Sequence, residues 1–267
     1  MMDKTYQQKK DALARSLEDL SAPFGKQMAV RAAGTDGFYF SLNASQSMLS
    51  ASLIKLPILL CACEQASRNP GLFQNQVQFT DLEIVGGSGV LQILSGRTWS
   101  VRDLLALMIN VSDNTATNLL IDYLGSDVIQ NWIRKNGFTG TVLGRKLMDE
   151  AAESAGRRNR ISAADACAMV ERVMTMEGPF SDDVRRWFLH QQFRGKLPAL
   201  FDELPCPVDV YNKTGEMEEV DHDAACFVCG EHRLTIAVLS EGVEDRQKVL
   251  AAIQTIGRKT ADYLLSL

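Results

Sequence analysis

Strand-like runs near both ends of the chain, with helical periodicity between them, predict an α+β fold. The expected architecture is an antiparallel sheet flanked by the N- and C-terminal helices, with an all-helical lobe beside it. Three observations carry this. Short alternating or apolar runs occur at residues 28–32 and 38–42 and return at 208–212, 224–228 and 234–239. Apolar residues recur at helical spacing from 51 to about 192, and both terminal segments, 6–20 and 245–267, read as helices. Strands so far apart in sequence share a sheet only if the two ends of the chain meet, which leaves the middle as a second lobe and a cleft between the two. The chain therefore reads as one domain, residues 1–267, with an α/β lobe of about 1–50 and 200–267 and a helical lobe of about 51–199.

Taken in order, residues 6–20 alternate charged and apolar positions as an amphipathic helix does. Gly34-Thr35-Asp36-Gly37 between the first two strands has the chemistry of a hairpin turn. Leu53-Ile54-Lys55-Leu56-Pro57-Ile58-Leu59-Leu60-Cys61 is dense enough in apolar residues to be a buried helix, and Pro57 near its start costs little because first-turn amides have no intrahelical partner. Ser100 with Asp103 is a capping pair opening the helix that runs to Val111. Another helix starts at Thr115, so Ser112-Asp113-Asn114 lies at a junction between two helices.

Composition bounds the function. With 46% hydrophobic and 23% charged residues the chain can bury a substantial core, and a formal charge of -5 argues against a nucleic-acid surface, which needs clustered cations. The basic N-terminal residues Lys4, Lys9 and Lys10 precede no apolar run, and no stretch reaches transmembrane length, so the expected setting is cytoplasmic, without membrane contact. Six cysteines and three scattered histidines make no metal-ligand pattern; the cysteines read as buried reduced thiols, and no metal or organic cofactor is implied.

Three short motifs carry the chemistry: Ser52-Leu53-Ile54-Lys55, Ser112-Asp113-Asn114 and Lys213-Thr214-Gly215. Singly they are a chance tetrapeptide, a helix cap and a strand end before a turn. Together, in this order and on these elements, they suit acyl transfer by a serine whose base is a lysine. Lys55 lies three residues after Ser52, on the same helix face, and its apolar neighbours disfavour the charged amine. The start of the helix offers free amides to an oxyanion.

Over nearly the whole chain these motifs resemble those of the class A β-lactamases and the penicillin-binding, transpeptidase-like proteins. The resemblance implies Ser52 as nucleophile, Lys55 as base, Ser112 as proton relay and Asn114 as partner of the substrate's amide side chain. It also implies that Lys213 and Thr214 bind a substrate carboxylate, that Gly215 admits the backbone closely, and that Glu216 supplies an oxyanion amide beside that of Ser52. Asp113 reads as a cap or brace of the loop.

One region departs from the resemblance. Class A enzymes carry a water-activating glutamate after an arginine in a long loop. Arg145-Lys146-Leu147-Met148-Asp149-Glu150 places Leu147 there, and Asn159 stands where the loop's far end has an aspartate. Asp149, Glu150 and Glu153 are the candidate replacements for the deacylation base, or else solvated surface charges. Gly86-Gly87-Ser88-Gly89 lacks the ending of a phosphate-binding loop and reads as a flexible cleft wall. His222 is either a second carboxylate-binding cation or a hydrogen-bonded structural histidine.

The expected function is a β-lactam-opening serine hydrolase working through a Ser52 acyl-enzyme that deacylates slowly. Two alternatives stand beside it: a D-amino-acid peptidase or esterase with the same machinery, and a penicillin-binding or sensor domain that stays acylated. The expected partner is a small molecule, a β-lactam or an acyl-D-amino-acid-like amide or ester.

Overall fold

The computed structural model describes residues 2–267. Helix α1 (Met2–Ser21) leads into β1 (Met28–Gly34) and β2 (Tyr39–Leu42), joined by the expected hairpin, in which Gly37 adopts a positive φ. At the other end of the chain β7 (Asp209–Met217), β8 (Val220–Cys229) and β9 (His232–Glu241) form a meander, followed by α9 (Arg246–Ser266). The five strands make one antiparallel sheet in the order β2-β1-β9-β8-β7, with β1 pairing β9 from Met28 opposite Ser240 to Gly34 opposite Leu234. The two ends of the chain are thus stitched together by a long-range ladder.

Both faces of this sheet are covered, and residue parity shows it. Met28, Val30, Ala225, Phe227, Ile236 and Val238 face a cluster formed with α1 and α9, while Ala29, Ala224, Cys226, Ala237 and Leu239 face the helical side. Helix α7 (Ala163–Thr175) packs against β1, β8 and β9 on that second face. Each Leu or Ile buried here contributes about 2 kcal/mol. The C-terminal strands run to nine and ten residues, longer than the sequence reading, because Lys213, Thr214, Asp221, His222 and Asp223 are buried strand residues rather than strand ends. A polar residue in a doubly covered sheet breaks the apolar run by which such a strand is recognised.

The middle portion is less uniformly helical than its periodicity suggests. It contains α2 (Lys55–Arg68), α3 (Val101–Asn110), α4 (Asn114–Leu124), α5 (Ser126–Lys135), α6 (Glu150–Ser154), α7 and α8 (Ser181–Leu189). It also contains short strands: β3 (Ser47–Leu49), which precedes the helices, pairs with β6 (Arg160–Ser162), and β4 (Gln76–Gln78) with β5 (Thr98–Ser100). Long irregular segments separate them, and Gly86, Gly87, Gly89, Gly137 and Gly144 account for much of the break in periodicity. Among the described residues no helix is long and apolar enough to cross a membrane, and no cluster of His, Cys, Asp and Glu could hold a metal ion. All six cysteines are free; four are buried, but Cys206 and Cys229 are only half-buried. The expectation of six buried thiols is corrected for these two, which lie at a loop and at the end of β8.

Candidate active site

Ser52 sits in a 3-10 turn, Ala51–Ile54, that opens directly into α2. Leu53, Ile54, Leu56, Ile58 and Leu59 are fully buried around it, so the turn is anchored by packing. Ala51, the residue before Ser52, has φ +43, and Ser112 has φ +53. Two non-glycine residues in the left-handed region next to one cleft are a local strain held by the surrounding structure.

Lys55 is fully buried, and its Nζ has four oxygen neighbours: Ser52 Oγ at 3.0 Å, Ser112 Oγ at 2.9 Å, Asn114 Oδ1 at 2.9 Å and the Ser112 carbonyl at 2.7 Å. Two of these, a carbonyl and an amide oxygen, can only accept. They take the two N–H bonds of a neutral amine and leave its lone pair for a hydroxyl proton. Burial, and after it the charge of Lys213, pushes the Lys55 pKa well below the ordinary lysine range, against a smaller pull from Asp113. Asp113 does not touch the amine: it caps α4, accepting from Ala116 N at 2.8 Å, and holds the amides of Val90 and Leu91 at 2.6 and 2.9 Å. Gly89 is required here, because a Cβ would lie 2.3 Å from the Asp113 carboxylate.

Lys213, on edge strand β7, donates to Ser112 Oγ at 3.0 Å and to the Thr214 carbonyl at 2.8 Å. The Ser112 hydroxyl therefore bridges two buried lysines. Burial, opposed by Asp223 and assisted by Lys196, brings the Lys213 pKa down to about 7. Gly215 lets β7 pass the Ser52 turn: a Cβ there would stand 3.2 Å from both Ala51 Cβ and the Ser50 carbonyl. Close backbone approach is the role glycine has at this point.

Sequence reasoning left His222 open between two roles, and the hydrogen bonds decide. Its Nδ1 accepts from Ser240 N at 3.1 Å, so Nε2 carries the proton and donates to the Leu49 carbonyl at 2.7 Å. Burial takes its pKa down to about 4. It is a neutral structural histidine tying β8 to β9 and β3.

Three cations that the motifs did not reveal line the cleft. Arg194, Lys196 and Arg246 join Ser52, Ser112, Thr214, Glu216 and Phe193 around a cavity of about 460 Å³. Lys196 is buried, 2.9 Å from Asp221 and hydrogen-bonded to the Gly215 carbonyl at 2.8 Å; Arg246 bridges Asp221 at 2.9 Å and Glu216 at 2.6 Å. They come from the loop before β7 and from the first turn of α9, far from any motif, and no local spacing could have found them.

A second cavity, about 110 Å³, meets the first at Ser52 and Glu216. Leu147 forms part of its wall. The Leu147 backbone is clamped by Asn118, which accepts its N–H at 2.8 Å and donates to its carbonyl at 3.0 Å. Asn118 lies one helical turn after Asn114, a spacing visible in the sequence but not singled out. Of the three candidate carboxylates only Glu153 lines this cavity, and it is paired with Arg145 at 3.0 Å and Arg158 at 3.6 Å. Asp149 caps α6 through Ala152 N at 2.9 Å and faces a cavity on the outer side of the loop, while Glu150 is exposed. Asn159 closes the neck of the loop, its Oδ1 accepting from Gly144 N and Arg145 N at 2.8 and 3.0 Å.

The sequence profile of the beta-lactamase enzyme family matches residues 12–264. The chain belongs to the beta-lactamase enzyme family. It is a serine hydrolase of the β-lactamase type, and a small-molecule β-lactam is the partner this membership indicates. No curated protein matches it in sequence. Among solved structures it is similar to a class A beta-lactamase from Bacteroides cellulosilyticus, with 18% identity over 97% of this chain and 99% of that one and a TM-score of 0.83. A beta-lactamase from Sphaerobacter thermophilus is similar at 22% identity, 96% and 97% coverage and a TM-score of 0.82. A leucine-to-glutamate variant of PBP-A, described as an acyl-enzyme complex with penicillin G, is similar at 21% identity, 96% and 97% coverage and a TM-score of 0.82. At these identities the structural likeness shows the fold: an antiparallel sheet with helices, as expected from the sequence.

Proposed function

We propose that the protein opens β-lactam amides by attack of Ser52 and forms an acyl-enzyme that hydrolyses slowly. The observation that carries this reading is the buried Lys55 amine, whose two N–H bonds are taken by carbonyl oxygens and whose third direction meets Ser52 Oγ at 3.0 Å. Lys55 Nζ takes the Ser52 proton as the Ser52 oxygen bonds to the substrate carbonyl carbon. The oxyanion is received by the amides of Ser52 and Glu216. As the C–N bond breaks, the leaving nitrogen takes a proton from Ser112 Oγ, which Lys55 replaces across 2.9 Å. Protonated Lys213 with the Thr214 hydroxyl binds the substrate carboxylate, and Asn114 holds the amide of the acyl side chain.

Release of the acyl group needs a base for water on the other side of the ester. Leu147 occupies that wall, and the Glu153 carboxylate is held by two arginines. Acylation therefore outruns deacylation. The same machinery acting on an acyl-D-amino-acid amide or ester is the second reading, favoured by the roomy cavity beyond Thr214.

Incubation with a chromogenic cephalosporin and a penicillin, following hydrolysis and intact mass together, tests the proposal with Ser52→Ala as control. The expected result is one adduct per chain on Ser52, lost slowly, and none in Ser52→Ala. An unmodified, inactive protein with both compounds would remove the β-lactam reading and leave the second one.

A further inference from the structure

The three cations lining the larger cavity are already paired. Arg194 is bound to Asp202 at 2.6 Å, and Lys196 and Arg246 are shared between two carboxylates, Asp221 and Glu216. Glu216 on β7 stands directly opposite Asp221 on β8, a like-charge pair that a strand ladder disfavours unless cations bridge it. Lys196 bridges it at 2.9 Å from Asp221 and 3.6 Å from Glu216, and Arg246 does so at 2.9 and 2.6 Å. The four side chains close a ring of two positive and two negative charges. Lys213 differs: its amine meets the Ser112 hydroxyl and the Thr214 carbonyl but no carboxylate.

The two acids of the ring are unlike. Asp221 is buried beside Lys196, whereas the Glu216 side chain is 57% exposed and lines the cleft on both sides of Ser52. Without Glu216 the ring would carry one net positive charge. That charge would sit with half-exposed Arg246, in the cavity that Ser52 and Thr214 also line. Glu216 follows Thr214 by two strand residues, so it rises from the same face about 7 Å further on. At that separation its carboxylate also repels an anion held at Thr214.

We infer that Glu216 is a charge filter for the leaving group: by occupying Arg246 and Lys196 and standing beside Thr214, it withholds their positive charge from a substrate carboxylate. Lys213 then holds that carboxylate unaided, and an anionic leaving group keeps only a narrowed advantage over a neutral one. The inference rests on the acyl-transfer reading above, with the leaving group on the Thr214 side.

Benzylpenicillin and its methyl ester separate the inference from that reading, because they differ only in the charge and capping of the carboxylate. The second-order rate of Ser52 labelling is read by intact mass, and the acid-to-ester ratio is compared between proteins. These are the native chain, Glu216→Gln, Glu216→Thr, which favours the strand, and the double variant Glu216→Gln with Arg246→Gln. At low salt the ratio is expected to rise at least about 5-fold in both single variants. The rise is expected to shrink in about 0.5 M salt, where half-exposed charges are screened, and to be mostly lost in the double variant. A ratio unchanged or lowered in Glu216→Gln or Glu216→Thr would overturn the filter while leaving acyl transfer standing. A full rise retained in the double variant would overturn the part assigned to Arg246. Labelling of the native protein by neither compound would overturn the acyl-transfer reading itself.

Discussion

The two sides of Ser52 are built on opposite principles. On the side of Lys55, Ser112 and Lys213, both amines and the Ser112 and Ser52 hydroxyls are hydrogen-bonded, two lysines are buried without a carboxylate in contact with them, and two residues are held at positive φ. On the side of Leu147 the wall is apolar, and each nearby carboxylate is capped, paired or turned outward. On the proposed reading, one side is equipped to make an ester and the other lacks a free base to break it. The first half costs folding stability, since buried amines and left-handed residues are unfavourable, and such costs persist where chemistry depends on them.

Removing the nucleophile or base is the largest break in this comparison. Ser52→Ala and Lys55→Ala are each expected to slow β-lactam acylation by at least about 1000-fold, read as the rate of adduct formation, with circular dichroism unchanged. A Lys55→Ala variant that acylates at the native rate would remove the base from the account. Next in size, Leu147→Glu places a carboxylate on the apolar wall, and general-base help of about 100-fold or more in deacylation is expected. The readout is the half-life of the adduct.

pH sharpens the comparison within the acylation side. Lys213, at about 7, is an ammonium below that pH and an amine above it. A substrate carboxylate needs the ammonium, so the acylation rate constant for a carboxylate-bearing penicillin falls as pH rises through about 7, approaching 10-fold per unit at most. A neutral ester lacking the carboxylate shows no such fall. Because the folded value lies below the unfolded one, the same lysine lowers stability progressively as pH falls from the ordinary lysine range toward 7. The smallest effect is expected from Ala51→Gly, which relieves φ +43 and raises stability by about 1 kcal/mol, visible as a higher melting temperature.

Much of the acylation side was legible in the chain because its chemistry is local. Ser52 and Lys55 are one helical turn apart, and Ser112 and Asn114 flank a helix cap, so short spacings carry the geometry. Lys213 was visible through its neighbours Thr214 and Gly215, although the strand continues past them because burial on both faces replaces the usual alternation. The order of the sheet followed from strands at both ends. By contrast Lys196 and Arg246 enter the site through tertiary packing, and nothing in their own sequence surroundings marks them. His222 was ambiguous because its role depends on which backbone groups meet its two nitrogens. The Asp149, Glu150 and Glu153 trio could not be ranked from sequence, since one residue of rotation along a short loop and helix decides which carboxylate faces Ser52.

The most direct test of the central contrast is the decay of the penicillin G adduct on Ser52, followed by intact mass in the native protein and in Leu147→Glu. A long-lived stoichiometric adduct in the native protein, with decay accelerated about 100-fold or more in the variant, is the predicted result. Rapid turnover by the native protein with no accumulating adduct would contradict it, because a base for water would then already be present beside Leu147.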